Sequence, residues 1–316
     1  MTSPSAADLH VVLGTGPAGS SLAAELVRRG HPVRTVDRSG GSPAVPGAER
    51  VAADLSDPEA ARAAVEGASV VYHCVNVAYH LQVEAMPVIQ RAILSAAEKA
   101  GARLVVVDTL YPYGETGGRA MTEDTPWRAT SAKGRMRAEL DRIYLDAHSS
   151  GRARVVLGRA ADCFGPGVLN SSLGGAAFPG ALTGGSVLAL GDIDLPHSYS
   201  FIGDVARGLA VLGESPDADG RVWHLPTGSA PTTREVHELI AARVGHPLTV
   251  ETLVVAEPWG PFDAVFMDSY RELFYQHTEP QIMDSSAFER RFGVEPTPLP
   301  DALDATIDWY REFLAR

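Results

Sequence analysis

Three glycines, Gly14, Gly16 and Gly19, stand directly after the apolar run His10–Leu13 and at the opening of the helical stretch Ser20–Arg29. A strand that hands over to a helix through G-x-G-x-x-G has few ways to fold. The first glycine permits a tight turn, the second lets a ligand approach the backbone, and the third packs helix against strand. Pro17 and Ala18 complete the turn. Free amides at the helix start, together with the positive end of its dipole, then suit a diphosphate. The alternative is a glycine-rich turn that binds nothing.

Beyond this junction the chain keeps the same rhythm. Apolar strand runs at Val33–Val36, Arg50–Ala53, Ser69–Val75, Arg103–Val107 and Arg154–Leu157 alternate with helical stretches at Pro58–Glu66, Val83–Lys99 and Thr130–His148. Asp57 is placed to cap the helix at Pro58. Strands buried on both faces and separated by helices predict a parallel sheet with right-handed crossovers. The expected fold is α/β, a Rossmann-type doubly wound parallel sheet with a smaller C-terminal substrate-binding lobe. Residues 1–165 form the expected dinucleotide-binding domain, its sheet completed by parts of 197–225, and 166–316 mainly the lobe. There, Gly165–Gly191 reads as loop with a short helix, Asp204–Leu212 as helix and Arg221–Leu225 as a strand rejoining the sheet. Thr233–Val244 reads as amphipathic helix, Leu248–Val255 as apolar strand and Leu299–Leu314 as a final helix.

Composition narrows the partners. The net charge of −12 leaves no basic stripe for phosphate neutralisation, so nucleic acid is not an expected partner. Two cysteines, Cys74 and Cys163, read as buried thiols in a reducing compartment rather than a disulfide. Met1–His10 has neither a basic start nor an apolar stretch, and no run reaches the ~20 apolar residues of a membrane span. A cytoplasmic protein acting on a small molecule, without a membrane partner, is the expectation.

Asp37 ends the second strand, where a carboxylate accepts hydrogen bonds from adenosine ribose hydroxyls and repels a 2'-phosphate. That favours NAD(H). Arg38, next to it, is either a solvated loop charge or a ligand for the 2'-phosphate of NADP(H), which keeps that cofactor open. Asp54, followed by Leu55, is placed to contact the adenine amino group, the alternatives being a plain loop aspartate or a helix cap.

At this point the chain resembles the extended short-chain dehydrogenase/reductase superfamily, the NAD-dependent epimerase/dehydratase group. The resemblance rests on Gly14–Gly19, Asp54-Leu55-Ser56-Asp57, the strand through His73, Tyr113-Gly114, Gly165-Pro166-Gly167, Asp204-Val205-Ala206 and Phe292-Gly293 through Leu299. It implies that Thr109 hydrogen-bonds the substrate oxygen. It also implies a Tyr-x-x-x-Lys pair, with Lys133 holding the nicotinamide ribose and lowering the tyrosine pKa. The pair is broken here, because Ala129 stands where the tyrosine belongs, and no tyrosine lies between Tyr113 and Tyr144. Tyr111 is the first candidate for a substitute acid, and a packing aromatic is the other role open to it. Relatives that bind nucleotide sugars place an Arg seven residues before the Asp of Asp-Val-Ala. His197 stands there instead, a mostly neutral imidazole that disfavours a diphosphate substrate. Many relatives dimerise through the helices at Val83–Lys99 and Thr130–His148. Their outward faces are mixed here, with Arg135, Arg137 and Arg142 on the second, which leaves a homodimer open.

Tyr79, Tyr113 and His197 are candidate substrate contacts. Tyr199, Phe262 and Phe266 are further aromatics for an amphipathic pocket. The histidines do not fall into metal-ligand spacing, so no metal is expected. These features predict an NAD(P)-dependent oxidoreductase that moves a hydride to or from a carbonyl or imine carbon of a small metabolite other than a nucleotide sugar. The alternatives are a redox-neutral epimerase, dehydratase or cyclase on the same scaffold, and a dinucleotide-sensing regulator without turnover.

Overall fold

Residues 8–40 and 44–316 are described by a computed structural model. The start of the chain, expected to carry no leader, lies outside the described residues through residue 7. Chain order gives β1 (Leu9–Leu13), α1 (Pro17–Arg28), β2 (Val33–Asp37), β3 (Ala48–Ala52), α2 (Pro58–Ala64) and β4 (Ala68–His73). Next come α3 (Gln82–Ala100), β5 (Arg103–Thr109), α4 (Ala132–Ser149), β6 (Arg154–Ala160), β7 (Asp162–Phe164) and α5 (Phe178–Thr183). The chain continues through β8 (Ser186–Leu190), β9 (Tyr199–Phe201), α6 (Ile202–Glu214), β10 (Val222–His224), α7 (Thr233–Val244) and β11 (Thr249–Leu253). It closes with α8 (Ala264–Tyr270), a 3-10 segment Arg271–His277, α9 (Ser286–Phe292) and α10 (Leu299–Leu314).

The chain divides into two units that interleave along the sequence. One holds residues 1–109, 136–159 and 205–223, and the other holds 110–135, 160–204 and 224–316.

The first unit carries a seven-stranded sheet in the order β10-β6-β5-β4-β1-β2-β3. The β1–β2, β1–β4, β2–β3 and β4–β5 pairings are all parallel. Strand order reverses between β1 and β4, the topological switch point at which ligands bind in such sheets. The inner strands are branched aliphatics buried on both faces, Val11–Leu13 in β1 and Leu104–Val106 in β5. Parallel strands covered by helices on both sides require this. Asp57 caps α2 by accepting the Glu59 N–H at 2.9 Å. The strand expected near Arg221 is β10, which rejoins the sheet beside β6. Arg137, read as an outward charge, is buried and donates to Asn76 Oδ1 at 3.2 Å. Its long stem follows the inner face of α4, while Arg135 and Arg142 remain exposed.

The second unit packs α5, α7 and α10 around Phe164, Phe178, Val236, Leu303 and Tyr310. Its strands form two small parallel pairs, β8–β11 and β7–β9. The stretch read as loop with a short helix holds both α5 and the buried strand β8. Glycines and serines around these elements mask the five-residue run Ser186–Leu190. β11 is a strand as expected, but an exposed one whose partner is β8. Thr232 and Glu235 form a reciprocal capping box at the start of α7, which fixes that boundary. Both cysteines are free. No described helix is long and apolar enough to cross a membrane.

One buried ion cluster ties the centre of the sheet to its covering helix. Arg159 on β6 is fully buried and donates through Nε to Asp108 and through Nη2 to Asp141, each at 2.6 Å. Burial, then the neighbouring Asp108 charge, push the Asp141 carboxyl well above the usual carboxylate range. One guanidinium thus serves two buried carboxyl groups. Replacing Arg159 with Ala strands the Asp108 charge, and an uncompensated buried charge costs roughly 3–5 kcal/mol. Urea unfolding of Arg159→Ala is expected to show a stability loss of that size. An unchanged midpoint would mean the cluster is not structural.

Candidate active site

The turn between β1 and α1 divides its three glycines by role. Gly14 has φ +92°, and a Cβ there would lie 2.8 Å from the Cys74 carbonyl oxygen and 2.9 Å from Val75 Cα. No side chain fits where the turn crosses the exit of β4. A Cβ on Gly19 would fall 1.9 Å from the Gly14 carbonyl oxygen, so α1 sits on the turn only because Gly19 has none. Around Gly16 nothing lies within 4 Å of the Cβ position. Protein packing does not require that glycine.

Gly16 is also the N-cap of α1, and no side chain caps the helix there. Pro17 removes one N–H at the first helical position. The amides of Ala18 and Gly19 lie in the first turn, where a helix offers them no partner. An open face above uncapped amides fits a dinucleotide diphosphate.

Asp37 closes β2 and is half-buried. Its Oδ1 accepts the Ser39 N–H at 3.0 Å and the Ser39 hydroxyl at 3.2 Å, which fixes the carboxylate in orientation. Arg38 is exposed. Asp54 accepts the Ser56 hydroxyl at 2.7 Å and the Ser56 N–H at 3.0 Å. Those bonds, with a smaller contribution from the Arg38 charge, hold its carboxyl below the usual range. Leu55 is buried behind it. Thr109 ends β5 half-buried, and Tyr79 opens a short 3-10 turn, also half-buried.

In the second unit, Tyr111 is 8% exposed and begins the 3-10 turn that ends at Tyr113. Tyr113, read as a substrate contact, is 1% exposed. His224 Nδ1 lies 2.9 Å from the Asp284 carbonyl and must donate to it, so Nε2 is an acceptor. The Tyr113 hydroxyl therefore donates to His224 Nε2, at 2.6 Å. Its hydroxyl is thus engaged within the protein.

Lys133 is 5% exposed and is not a solvated helix lysine. Its Nζ donates to Glu272 Oε1 at 2.8 Å and to the Ser269 carbonyl at 2.7 Å. The same Glu272 carboxylate accepts the backbone N–H groups of Ala132 and Lys133, and so caps α4. One anion thus meets both the helix dipole and the lysine. Glu272 lies 139 residues from Lys133, and nothing local in the sequence announces it. α4 begins at Ala132, so Ala129 lies outside the helix and is not one helical turn from Lys133. The Ala129 N–H instead donates to the Pro112 carbonyl at 3.2 Å. A Cβ on Gly134 would meet Ala129 Cβ at 2.6 Å and the Tyr111 carbonyl oxygen at 2.8 Å, so this crossing is tight.

His197 has a partner that the sequence did not suggest. Its Nε2 donates to Asp162 Oδ2 at 2.9 Å, and its ring centroid lies 5.2 Å from that of His277. Burial opposes ionisation of Asp162, yet the hydrogen bond and charge of His197 hold its carboxyl below the usual range. Burial, reinforced by His197, pushes the His277 imidazole down to about 3. Asp162 and His277 escape a sequence reading because they stand 35 residues before and 80 residues after His197. Tyr199 lines a separate cavity of about 160 Å³ with Phe164, Phe201 and Pro298, and its hydroxyl is bonded to Thr233 Oγ1 at 2.8 Å.

Comparison with known families matches residues 11–225, about two thirds of the chain, to the NAD dependent epimerase/dehydratase family. No curated protein matches in sequence. Solved structures with the same fold include MoeE5 in complex with UDP-glucose and NAD, 23% identical, with a TM-score of 0.79 over 97% of this chain and 99% of that one. A double mutant of the dTDP-glucose 4,6-dehydratase DesIV from Streptomyces venezuelae, with NAD bound, is 21% identical, with a TM-score of 0.79 over 96% and 97%. The UDP-glucose 4-epimerase of Thermus thermophilus, in complex with NAD, is 21% identical, with a TM-score of 0.77 over 96% and 99%.

Replacing Glu272 with Ala removes a helix cap and leaves a buried ammonium with only the Ser269 carbonyl. Losing the cap alone costs about 1 kcal/mol, and the unpaired charge adds to that. Glu272→Ala is expected to lower the thermal midpoint measurably, while Glu272→Gln, which can still accept, lowers it less. Equal midpoints for all three proteins would contradict the dual role.

Proposed function

The chain belongs to the NAD-dependent epimerase/dehydratase family, and on that footing we propose that it binds NAD at the β1–α1 turn and catalyses a redox-neutral conversion of a hydroxylated small molecule. Epimerisation and dehydration are the reaction types that fit. The observation that carries this reading is Gly16, whose open face lies above amides that no side chain caps. Family membership favours the redox-neutral reading over the net reduction or oxidation expected first from the sequence.

NAD, when bound, supplies reversible hydride transfer. The chain supplies the rest. The amides of Ala18 and Gly19 hold the diphosphate, and the pre-oriented Asp37 carboxylate takes the ribose hydroxyls. Asp37 disfavours a 2'-phosphate, and Arg38 lies close enough to Asp54 to influence its carboxyl, so NAD is preferred over NADP. Thr109 orients the reacting oxygen, Tyr111 holds the proton that Ala129 cannot, and Lys133, whose Nζ is held by Glu272 and the Ser269 carbonyl, is the candidate for the nicotinamide ribose. The nucleotide sugars found with the similar structures are the first compounds to test. At His197 the chain offers an imidazole bonded to Asp162 in place of a guanidinium fork, so a substrate gripped by its diphosphate at that position is not favoured.

Calorimetric titration with NAD+ and NADP+ tests the cofactor assignment. NAD+ is expected to bind at least about 10-fold more tightly, one 2'-phosphate beside a carboxylate being enough for that ratio. Gly16→Val is expected to abolish binding with the circular dichroism spectrum intact, because a Cβ there has no protein atom within 4 Å. Tighter binding of NADP+, or undiminished binding by Gly16→Val, overturns the assignment. For the reaction, UDP-glucose and dTDP-glucose are incubated with the NAD-loaded protein. Product without net change at the nicotinamide absorbance supports the redox-neutral reading, and stoichiometric NADH formation contradicts it. Tyr111→Phe is expected to lower turnover by about 10²-fold if its hydroxyl moves the proton.

A further inference from the structure

Asp162, His197 and His277 come together inside the second unit from three separate places. Asp162 opens β7, His197 lies between β8 and β9, and His277 ends the 3-10 segment after α8. One donor atom from each lies within 4.8 Å of the other two. We propose that these three side chains form a binding site for a divalent d-block cation, Zn2+ first among them, with two imidazoles, one carboxylate and open coordination positions.

The donor set matches the chemistry of such ions. Imidazole nitrogen with one carboxylate oxygen suits Zn2+, Co2+ or Ni2+, whereas Mg2+ and Ca2+ take all-oxygen cages. Three protein ligands leave room for water or another oxygen donor. Two imidazoles bound at ~2.1 Å to one tetrahedral ion have ring centroids about 5 Å apart. Those of His197 and His277 are 5.2 Å apart with ring planes 6° from parallel, so unless the two rings are coplanar one of them tilts to aim its nitrogen at a shared ion. His197 Nε2 and Asp162 Oδ2 are already 2.9 Å apart. Donors on a tetrahedral ion stand about 3.4 Å apart, so the ion draws in the widest pair by roughly 1 Å.

The frame around the three residues is fixed. The His197 N–H donates to the Pro231 carbonyl at 2.9 Å, and its neighbour Ser198 donates to the Gln281 carbonyl at 2.8 Å. The His277 carbonyl accepts the Asp192 N–H at 2.8 Å. A Cβ on Gly191 would lie 1.9 Å from that same carbonyl oxygen, so the close seat of His277 depends on a glycine there. Tyr270 is bonded to His277 Nε2 at 2.7 Å. Among the described residues His277 Nδ1 has no hydrogen-bond partner, and it is the nitrogen left for the ion. A ligating imidazole whose other nitrogen is held by a neighbouring group is the usual outer-shell arrangement. His197 needs only to change tautomer, its proton passing from Nε2 to Nδ1, to offer Nε2 as a donor. Both rings are buried, while the Asp162 side chain is 24% exposed and marks the way in.

The test uses the full chain, stripped with chelator and titrated with Co2+ and, by calorimetry, with Zn2+. One ion per chain is expected, with a visible Co2+ absorption spectrum of four- or five-coordinate type and a rise in thermal midpoint on adding Zn2+. Asp162→Asn and His197→Gln are expected to weaken binding by about 100-fold or more. Tyr270→Phe, which leaves all three ligands in place, should weaken it by about 10-fold. Should His277→Gln fail to fold, Tyr270→Phe and Asp162→Asn still decide the matter. An octahedral Co2+ spectrum, or binding unchanged in Asp162→Asn and His197→Gln, places the ion on surface histidines such as His80 and His246 and overturns the proposal.

Discussion

The backbone crossing between the β1–α1 turn and the exit of β4 governs this molecule. Gly14 must adopt positive φ while lying against the Cys74 carbonyl, and Gly19 must let α1 rest on Gly14. Both demands come from packing and would hold with no ligand at all. Their consequence is that α1 begins close to the point where strand order reverses, with bare amides at its start. Gly16 is different, since it fills no steric need within the protein. A position kept empty over a helix N-terminus is what an anion would use.

The second unit places the segment around Ala129 and Lys133 through pairings that are distant in sequence. The chain before α4 binds the Tyr111–Tyr113 segment through its backbone, Ala129 to Pro112 and Arg128 to Tyr113. Helix α4 then starts late and takes its cap from Glu272, which also holds Lys133. The lysine keeps its place in the sequence but acquires a carboxylate partner from a distant segment. The same unit gathers Asp162, His197 and His277 into a buried cluster. Its polar chemistry therefore lies in long-range pairings and not in the pair that the motif would lead one to expect.

That contrast explains what was legible in the sequence. The sheet, its order of strands and helices, and the glycine turn rest on local patterns: apolar runs, helix periodicity and turn residues within a few positions. α7 and α10 were read to the residue from their periodicity, and in the structure Thr232 and Glu235 fix the start of the first. β8 was hidden among glycines, and the short strands β7 and β9 carry too few residues for any periodicity. At the candidate site, the glycine turn proposed for the diphosphate was legible because one local motif contains it. Glu272, Asp162 and His277 were not, since each acts across 35 or more residues on a partner that only the fold brings near. Tyr113 shows the converse. A motif drew attention to it, while its hydroxyl is spent on His224 within the core.

Crystals of the protein grown or soaked with saturating NAD+ test the central claim most directly. The account predicts diphosphate density over Gly16, accepting hydrogen bonds from the Ala18 and Gly19 amides, with the adenosine ribose against Asp37. Well-ordered crystals in which that turn stays empty, or in which the dinucleotide sits elsewhere on the chain, would contradict it.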